Sequence, residues 1–314
     1  MAVRVLTQVG RLIGDVEALG DVEVVEVATP DPAPPGTRAD VLVGFPFGSD
    51  DRPVLGQLGE LGVRWIHLCG TGVDAFPLDV VRGLDVLVTC ARGVSGVPIA
   101  EFVLAAMLAF EKRMPDVWLS EPPDHWNLRD MGGLAGRTLV LVGLGGIAIE
   151  VARRALPFGM RVVAVRRNPD RPAPLGGVEV VPSLDEALAL ADHVVLAAPA
   201  TNRTRHLLDA DALAKVKPGV HVVNIARGSL VDQDALRVAL DDGRVACASL
   251  DVCEPEPLPA GHWLYSHPRV RLSAHVSWAS YAGADHLGAY FRENLRRYLA
   301  DEPLEGVVDL DEGY

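Results

Sequence analysis

Short apolar runs, divided by polar connectors rich in glycine and proline, recur along almost the whole chain, and their lengths sort them into strands and helices. Over residues 1–95 the strand candidates are Val3 to Leu6, Val22 to Val27, Asp40 to Val43, Arg64 to Leu68 and Val86 to Thr89. The Pro-rich piece Thr29 to Gly36 reads as a surface loop. Val97 to Met114 is predicted to be a helix, with Pro98 and Glu101 suited to its first turn and Lys112 and Arg113 to its end. That helix is apolar nearly all round, so it should be buried between domains or against another subunit. Asp116 to Gly136 is loop-like.

Further on, strands are expected at Val178 to Val181, His193 to Ala197, His221 to Ile225, Ala246 to Val252 and Val270 to Ser273. Helices are expected at Leu184 to Ala191, capped by Ser183, near Asp211 to Lys215, at Gln233 to Asp241 and from Ala279 to Leu299. Strands alternating with helices indicate an α/β protein with largely parallel sheets. The tail from Asp301 to Tyr314 could return to the first domain, which would make that domain discontinuous.

The centre of this pattern is residues 138–167, TLVLVGLGGIAIEVARRALPFGMRVVAVRR. Thr138 to Val142 is a β-branched apolar run, as in a strand covered on both faces. It breaks at Gly143-Leu144-Gly145-Gly146, turns helical with Ile147, Val151, Ala155 and Leu156 in register, and resumes as a strand at Arg161 to Val165. Strand, glycine turn, helix, strand is the dinucleotide fingerprint. Gly143 allows a tight turn, Gly145 admits a pyrophosphate close to the backbone, and Ala148 stands where a third glycine is usual. The helix N-terminus offers free amides and a positive dipole end to phosphates.

An acidic residue ordinarily caps the second strand and takes the ribose hydroxyls. Here the chain has Arg166-Arg167-Asn168. An arginine cannot accept those hydrogen bonds but can pair with a 2′-phosphate, which points to NADP(H). The other reading is a solvated arginine pair at a strand end, with NAD(H) used.

Length and composition narrow the class. The 314 residues suit two domains, and 49% hydrophobic content supplies ample core. A net charge of −13 argues against a nucleic-acid partner. The N-terminal stretch does not read as a signal peptide, and no apolar run reaches membrane-spanning length. Four cysteines, Cys69, Cys90, Cys247 and Cys253, lack CxxC pairing or metal-type spacing, so no metal is expected and free thiols in the cytoplasm are.

Three later segments carry residues suited to chemistry, each at or just past a strand end. Arg227, in Asn224-Ile225-Ala226-Arg227-Gly228, can clamp a carboxylate with its planar fork. Asp251 to Pro257 is an acidic loop stiffened by prolines. His275 closes a strand in Ser273-Ala274-His275-Val276, and a carboxylate beside it would orient the imidazole for proton exchange.

Together these segments make the chain resemble the D-isomer-specific 2-hydroxyacid dehydrogenase family, which includes glyoxylate/hydroxypyruvate reductases, phosphoglycerate dehydrogenases and formate dehydrogenases. The resemblance covers nearly the whole chain: GTGVDAF at Gly70 to Phe76, PIAEFVL at Pro98 to Leu104, VGLGGIA at Val142 to Ala148, NIARGSLVDQDAL at Asn224 to Leu236, LDVCEPEPLP at Leu250 to Pro259 and SAHVSW at Ser273 to Trp278. It departs at Ala274, where proline is usual, at Cys253, where an aromatic is common, at Cys90, where asparagine is frequent, and at Arg166.

The resemblance implies two Rossmann-like doubly wound lobes. A flavodoxin-like, discontinuous substrate lobe would comprise residues 1–95 plus 278–314, and a dinucleotide lobe residues 96–277. It also implies an oxidoreductase moving a hydride between NAD(P)H and a 2-oxo or D-2-hydroxy acid. In that scheme Arg227 holds the substrate, and His275 is the acid/base. Glu256 is its partner, placed by the family's 29-residue interval from Arg227 in preference to Glu254. Gly70, Thr71 and Gly72 would bind the substrate carboxylate. Gly143, Gly145, Gly146, Ile147, Arg166, Arg167, Pro199, Thr204, Ala226 and Asp251 would line the cofactor, with Asp251 near the nicotinamide carboxamide. Loops around Phe45 to Phe47, Ala91 to Ser95 and Trp278 would face the rest of the substrate. A homodimer through the cofactor lobes is expected. The competing expectations are a nucleotide-sensing corepressor-like relative without catalysis and a formate-type dehydrogenase.

Overall fold

The structure, a computed structural model, describes residues 2–27, 31–44, 52–126, 130–280 and 282–311; Phe45 to Phe47 lie outside them. The chain forms two compact units, residues 1–95 with 280–314, and residues 96–279. The helix expected to begin at Ala279 starts instead at Gly283.

The first unit is a five-stranded parallel sheet of β1 (Val3–Thr7), β2 (Val22–Glu26), β3 (Val41–Gly44), β4 (Trp65–Leu68) and β5 (Leu87–Cys90), in the order β2-β1-β3-β4-β5. Alternation along the strands sends neighbouring residues into two cores. Leu6, Leu42 and Ile66 pack on one face with Leu58 and Phe76. Val5, Val41 and Trp65 pack on the other with Phe291 and Leu295. The sequence pattern missed four helices of four residues each: α1 (Gly10–Ile13), α2 (Arg52–Leu55), α3 (Leu58–Leu61) and α4 (Leu78–Val81). One turn of helix is too short to display a 3.6-residue period.

In the second unit α5 (Gly96–Glu111) leads to β6 (Thr138–Val142), α6 (Gly146–Ala155), β7 (Arg161–Val165), β8 (Val178–Val181), α7 (Leu184–Leu190) and β9 (His193–Leu196). Then follow α8 (Ala210–Leu213), β10 (Val220–Asn224), α9 (Gln233–Asp241), β11 (Val245–Leu250) and β12 (Val270–Leu272). The last helix, α10 (Gly283–Leu299), belongs to the first unit, where its Gly288 backs onto the carbonyl of Leu12 in α1.

α5 stops three residues before the predicted Met114. Arg113 turns left-handed at φ 51°, and Pro115 two residues on disfavours continued helix. Its buried side chains, Ile99, Val103 and Met107 among them, pack with α6 against Leu139, Leu141 and Val162.

All seven strands are parallel, in the order β12-β11-β10-β9-β6-β7-β8. The chain reverses its direction of winding between β6 and β9, and in such sheets ligands sit at the carboxyl ends flanking that switch. Among the described residues, no helix is long and apolar enough to cross a membrane.

Candidate active site

The glycine turn occupies the switch point. Gly143 has φ +99°, its amide donates to the Val165 carbonyl at 2.8 Å, and a Cβ there would lie 2.8 Å from the Ala197 carbonyl oxygen and the Ala198 nitrogen. Only glycine lets the two loops approach this closely. A Cβ on Gly145, by contrast, would meet nothing within 4 Å, so the backbone at the start of α6 faces open space. Ala148 is wholly buried, and its methyl fits the helix–sheet contact.

At the end of β7, the Nε and Nη2 atoms of Arg166 are buried without a hydrogen-bond partner. Arg167 beside it is exposed. Thr204 folds its hydroxyl onto the Pro199 carbonyl at 2.7 Å and takes the Thr201 amide at 2.8 Å, which stiffens the loop after β9.

Past β10, Asn224 is buried and brackets the next turn. Its side-chain amide donates to the Arg227 carbonyl at 2.9 Å, and its oxygen accepts from the Ala226 amide at 3.0 Å. The Arg227 guanidinium rests on the Ala226 carbonyl at 2.7 Å. A Cβ on Gly228 would collide with the backbone of Cys253 and Glu254. The missing side chain is therefore what lets the 251–257 loop cross directly over this turn and bring its carboxylates near Arg227.

Of the two glutamates on that loop, Glu254 turns to Arg205 at 3.0 Å, and its backbone is held by Gln233. Glu256 turns to the histidine. Its Oε2 lies 2.9 Å from His275 Nδ1, and its Oε1 accepts the Cys253 amide at 2.9 Å. Burial works against ionisation of Glu256. The hydrogen bonds from His275 and the Cys253 amide, with the charges of His275 and Arg227, outweigh it and hold the carboxyl below its ordinary value. With the carboxylate on Nδ1, that nitrogen carries the proton, and Nε2 becomes the exchanging atom.

His275 sits at φ 54°, a strained conformation for a residue with a Cβ. Asp251, at the end of β11, holds it there. Its Oδ1 accepts from Ser273 Oγ at 2.7 Å and the Val276 amide at 2.9 Å, its Oδ2 from the Ser277 amide at 2.9 Å, and its carbonyl from the His275 amide at 2.8 Å. Burial opposes ionisation of Asp251, but the Ser277 and Ser273 hydrogen bonds and the loop amides keep its carboxyl low. Trp278 closes the loop by donating from Nε1 to the His275 carbonyl at 2.8 Å.

Asn224, Gln233, Ser273 and Ser277 thus position the site without having been singled out in the sequence. For Asn224, Ser273 and Ser277 the local signal is a polar residue two or three positions from Arg227 or His275; Gln233, six positions beyond Arg227, carries none.

In the first unit, the turn Gly70-Thr71-Gly72 follows β4. It is tied to the end of β5, where the Ala91 amide donates to the Gly70 carbonyl at 3.0 Å and Thr71 Oγ1 to the Ala91 carbonyl at 3.3 Å. Among the described residues, no three His, Cys, Asp or Glu side chains are grouped so as to hold a metal ion.

A switch-point glycine turn, with an arginine, a carboxylate and a histidine on the neighbouring strand ends, defines a dinucleotide-fold protein equipped for acid–base chemistry. Residues 104–277 match the family model for the NAD binding domain of D-isomer specific 2-hydroxyacid dehydrogenases, and the chain belongs to that family. It is 31% identical over 298 residues to D-3-phosphoglycerate dehydrogenase of Methanocaldococcus jannaschii, covering 94% of this chain and 56% of that one. The chain therefore spans little more than half the length of that relative. It is 35% identical over 257 residues to (S)-sulfolactate dehydrogenase of Chromohalobacter salexigens, covering 79% and 81% of the two chains. Among solved structures, it superposes with a TM-score of 0.82 and 26% identity, over 100% of both chains, on a D-isomer specific 2-hydroxyacid dehydrogenase from Xanthobacter autotrophicus Py2 in complex with NADPH and MES.

Proposed function

We propose that this chain is an NAD(P)-dependent oxidoreductase acting between a 2-oxo acid of glyoxylate or hydroxypyruvate type and the D-2-hydroxy acid, with NADP(H) preferred. The observation that carries the reading is the 2.9 Å contact of His275 Nδ1 with Glu256, on a loop that Gly228 allows to pass over Arg227. A bound nicotinamide supplies or accepts the hydride at C2. His275 Nε2 gives a proton to the carbonyl oxygen during reduction and recovers it during oxidation. Glu256 fixes the tautomer and offsets the imidazolium charge. Arg227 pairs with the substrate carboxylate and the developing alkoxide, a contribution of about 3–4 kcal/mol for a well-placed donor. The amides of Gly70, Thr71 and Gly72 take the substrate carboxylate in this scheme.

For the cofactor, Gly143, Gly145, Gly146 and Ile147 present the helix N-terminus to the pyrophosphate, with Pro199, Thr204 and Ala226 beside it. The carboxamide is assigned to Asp251 in this scheme, a carboxylate held in place by Ser273, Val276 and Ser277. NADP(H) preference rests on Arg166, whose buried, unpartnered Nε and Nη2 fit a 2′-phosphate, with Arg167 adding charge. The NADPH held by the Xanthobacter relative supports the same reading. A homodimer through the cofactor unit is supported by Trp118 and Trp126, 69% and 88% exposed on the segment after α5. A cytoplasmic location is supported by four free thiols.

The test is consumption of NADPH and of NADH with glyoxylate, hydroxypyruvate, a bulkier 2-oxo acid and, in reverse, formate. Arg166→Gln should cost about tenfold in kcat/KM for NADPH and little for NADH. Cofactor binding without turnover of any acid would overturn the catalytic reading in favour of a nucleotide sensor.

A further inference from the structure

We propose that the second unit carries another ligand site, at the edge of its sheet remote from the glycine turn, built to take a small oxyanion such as a phosphate or a carboxylate. Because the strands are all parallel, their N-terminal ends share one edge. A cavity of about 390 Å³ opens there, lined by residues just before or just inside β6, β9, β10, β11 and β12 together with the end of α5. Strands of four to six residues put this edge about 13–20 Å from the carboxyl-end loops that hold Gly143, Arg227 and Asp251. The cavity is distinct from the cofactor site.

Four guanidinium groups line it: Arg113, Arg137, Arg269 and Arg271. Arg271 is the telling one, because its Nη1 is buried without a hydrogen-bond partner. A guanidinium cannot shed its proton, and a buried donor is costly until something accepts from it.

The carboxylates in the lining do not meet that need. Asp192 is taken by Lys217 Nζ at 2.6 Å, Arg137 Nη1 at 3.2 Å and the Thr138 amide at 2.8 Å. Glu111 faces His193 Nε2 at 3.1 Å and Arg137 Nε at 3.6 Å. Asp116 is the third and is exposed. The buried histidines behind the wall, His193 and His221, are linked through Nδ1 at 3.2 Å and add no charge, since burial pushes His193 down to about 4 and His221 well below its ordinary value. With Asp192 and Glu111 matched by Lys217 and Arg137, three guanidinium groups stand against Asp116. The cavity is left with a positive surplus around one unsatisfied donor, the chemistry that recognises an oxyanion.

Calorimetric titration of the full chain with inorganic phosphate, and separately with malonate, tests this. Saturating NADPH is kept present so that phosphate positions at the glycine turn are filled. One saturable site per chain that Arg227→Gln leaves intact is expected, and the better of the two anions identifies the group it takes. Arg271→Gln should weaken binding about tenfold or more, and Arg113→Gln several-fold. Arg166→Gln should leave it unchanged, which separates this site from the cofactor reading. No saturable binding up to about 10 mM, or equal binding in the Arg271 and Arg113 variants, overturns the proposal. Should Arg271→Gln fail to fold by circular dichroism, Arg113→Gln, at an exposed position, decides the matter.

Discussion

Replacing Glu256 by glutamine isolates what the carboxylate does for His275. The amide keeps an oxygen for the Cys253 amide, 2.9 Å from Oε1, so the loop retains its anchor. What goes is the negative charge 2.9 Å from Nδ1. Charge centres about 4 Å apart interact by about 4 kcal/mol at an effective dielectric of about 20. The side chains of His275 and Glu256 are 29% and 36% exposed, and solvent screening lowers that to about 1.5–3 kcal/mol. At neutral pH, kcat/KM should fall about 10–100-fold. Initial rates of NADPH oxidation with a 2-oxo acid, with circular dichroism to check folding, would measure the loss. A kcat/KM within about twofold of the parent enzyme would refute the reasoning, because it would reduce Glu256 to a packing residue.

Gly228→Ala should lose nearly all activity while the chain still folds, since a Cβ there must displace the Cys253–Glu254 backbone and carry Glu256 away from His275; wild-type rates would mean the crossing is not needed. Asp251→Asn should cost about 2–4 kcal/mol in denaturant unfolding, because an amide cannot accept on both sides of the loop. The folded Asp251 carboxyl is held below its ordinary 3.8, so its stabilisation is complete above that pH and is lost as pH falls through the lower folded value. Acid titration of the Asn variant should lack that component, and matching acid-unfolding curves would contradict it. Trp278→Phe removes the 2.8 Å donor to the His275 carbonyl, so kcat should fall more than KM rises; a change in KM for bulky acids alone would make Trp278 a pocket wall instead.

Periodicity and turn chemistry are local properties, and what they encode could be read without coordinates. The β-branched runs placed most of the strands within two residues. The glycine turn between Val142 and Ile147 marked the switch point, because only a residue without a Cβ can turn at φ +99° against the Ala197 loop. The motifs around Arg227, Asp251 and His275 mark three segments that follow neighbouring strands, and the family to which the chain belongs. Tertiary structure decided how those segments meet. Glu254 and Glu256 are two residues apart and chemically equivalent, yet one pairs with Arg205 and the other with His275, since the path of the loop over Gly228 aims them apart. Asp251 also braces the strained histidine loop, through hydrogen bonds to residues 22–26 positions away, which no spacing along the chain discloses. The orphaned nitrogens of Arg166 and Arg271 show only after folding. Burial and the absence of an acceptor depend on every neighbour in space, and no spacing along a chain records them.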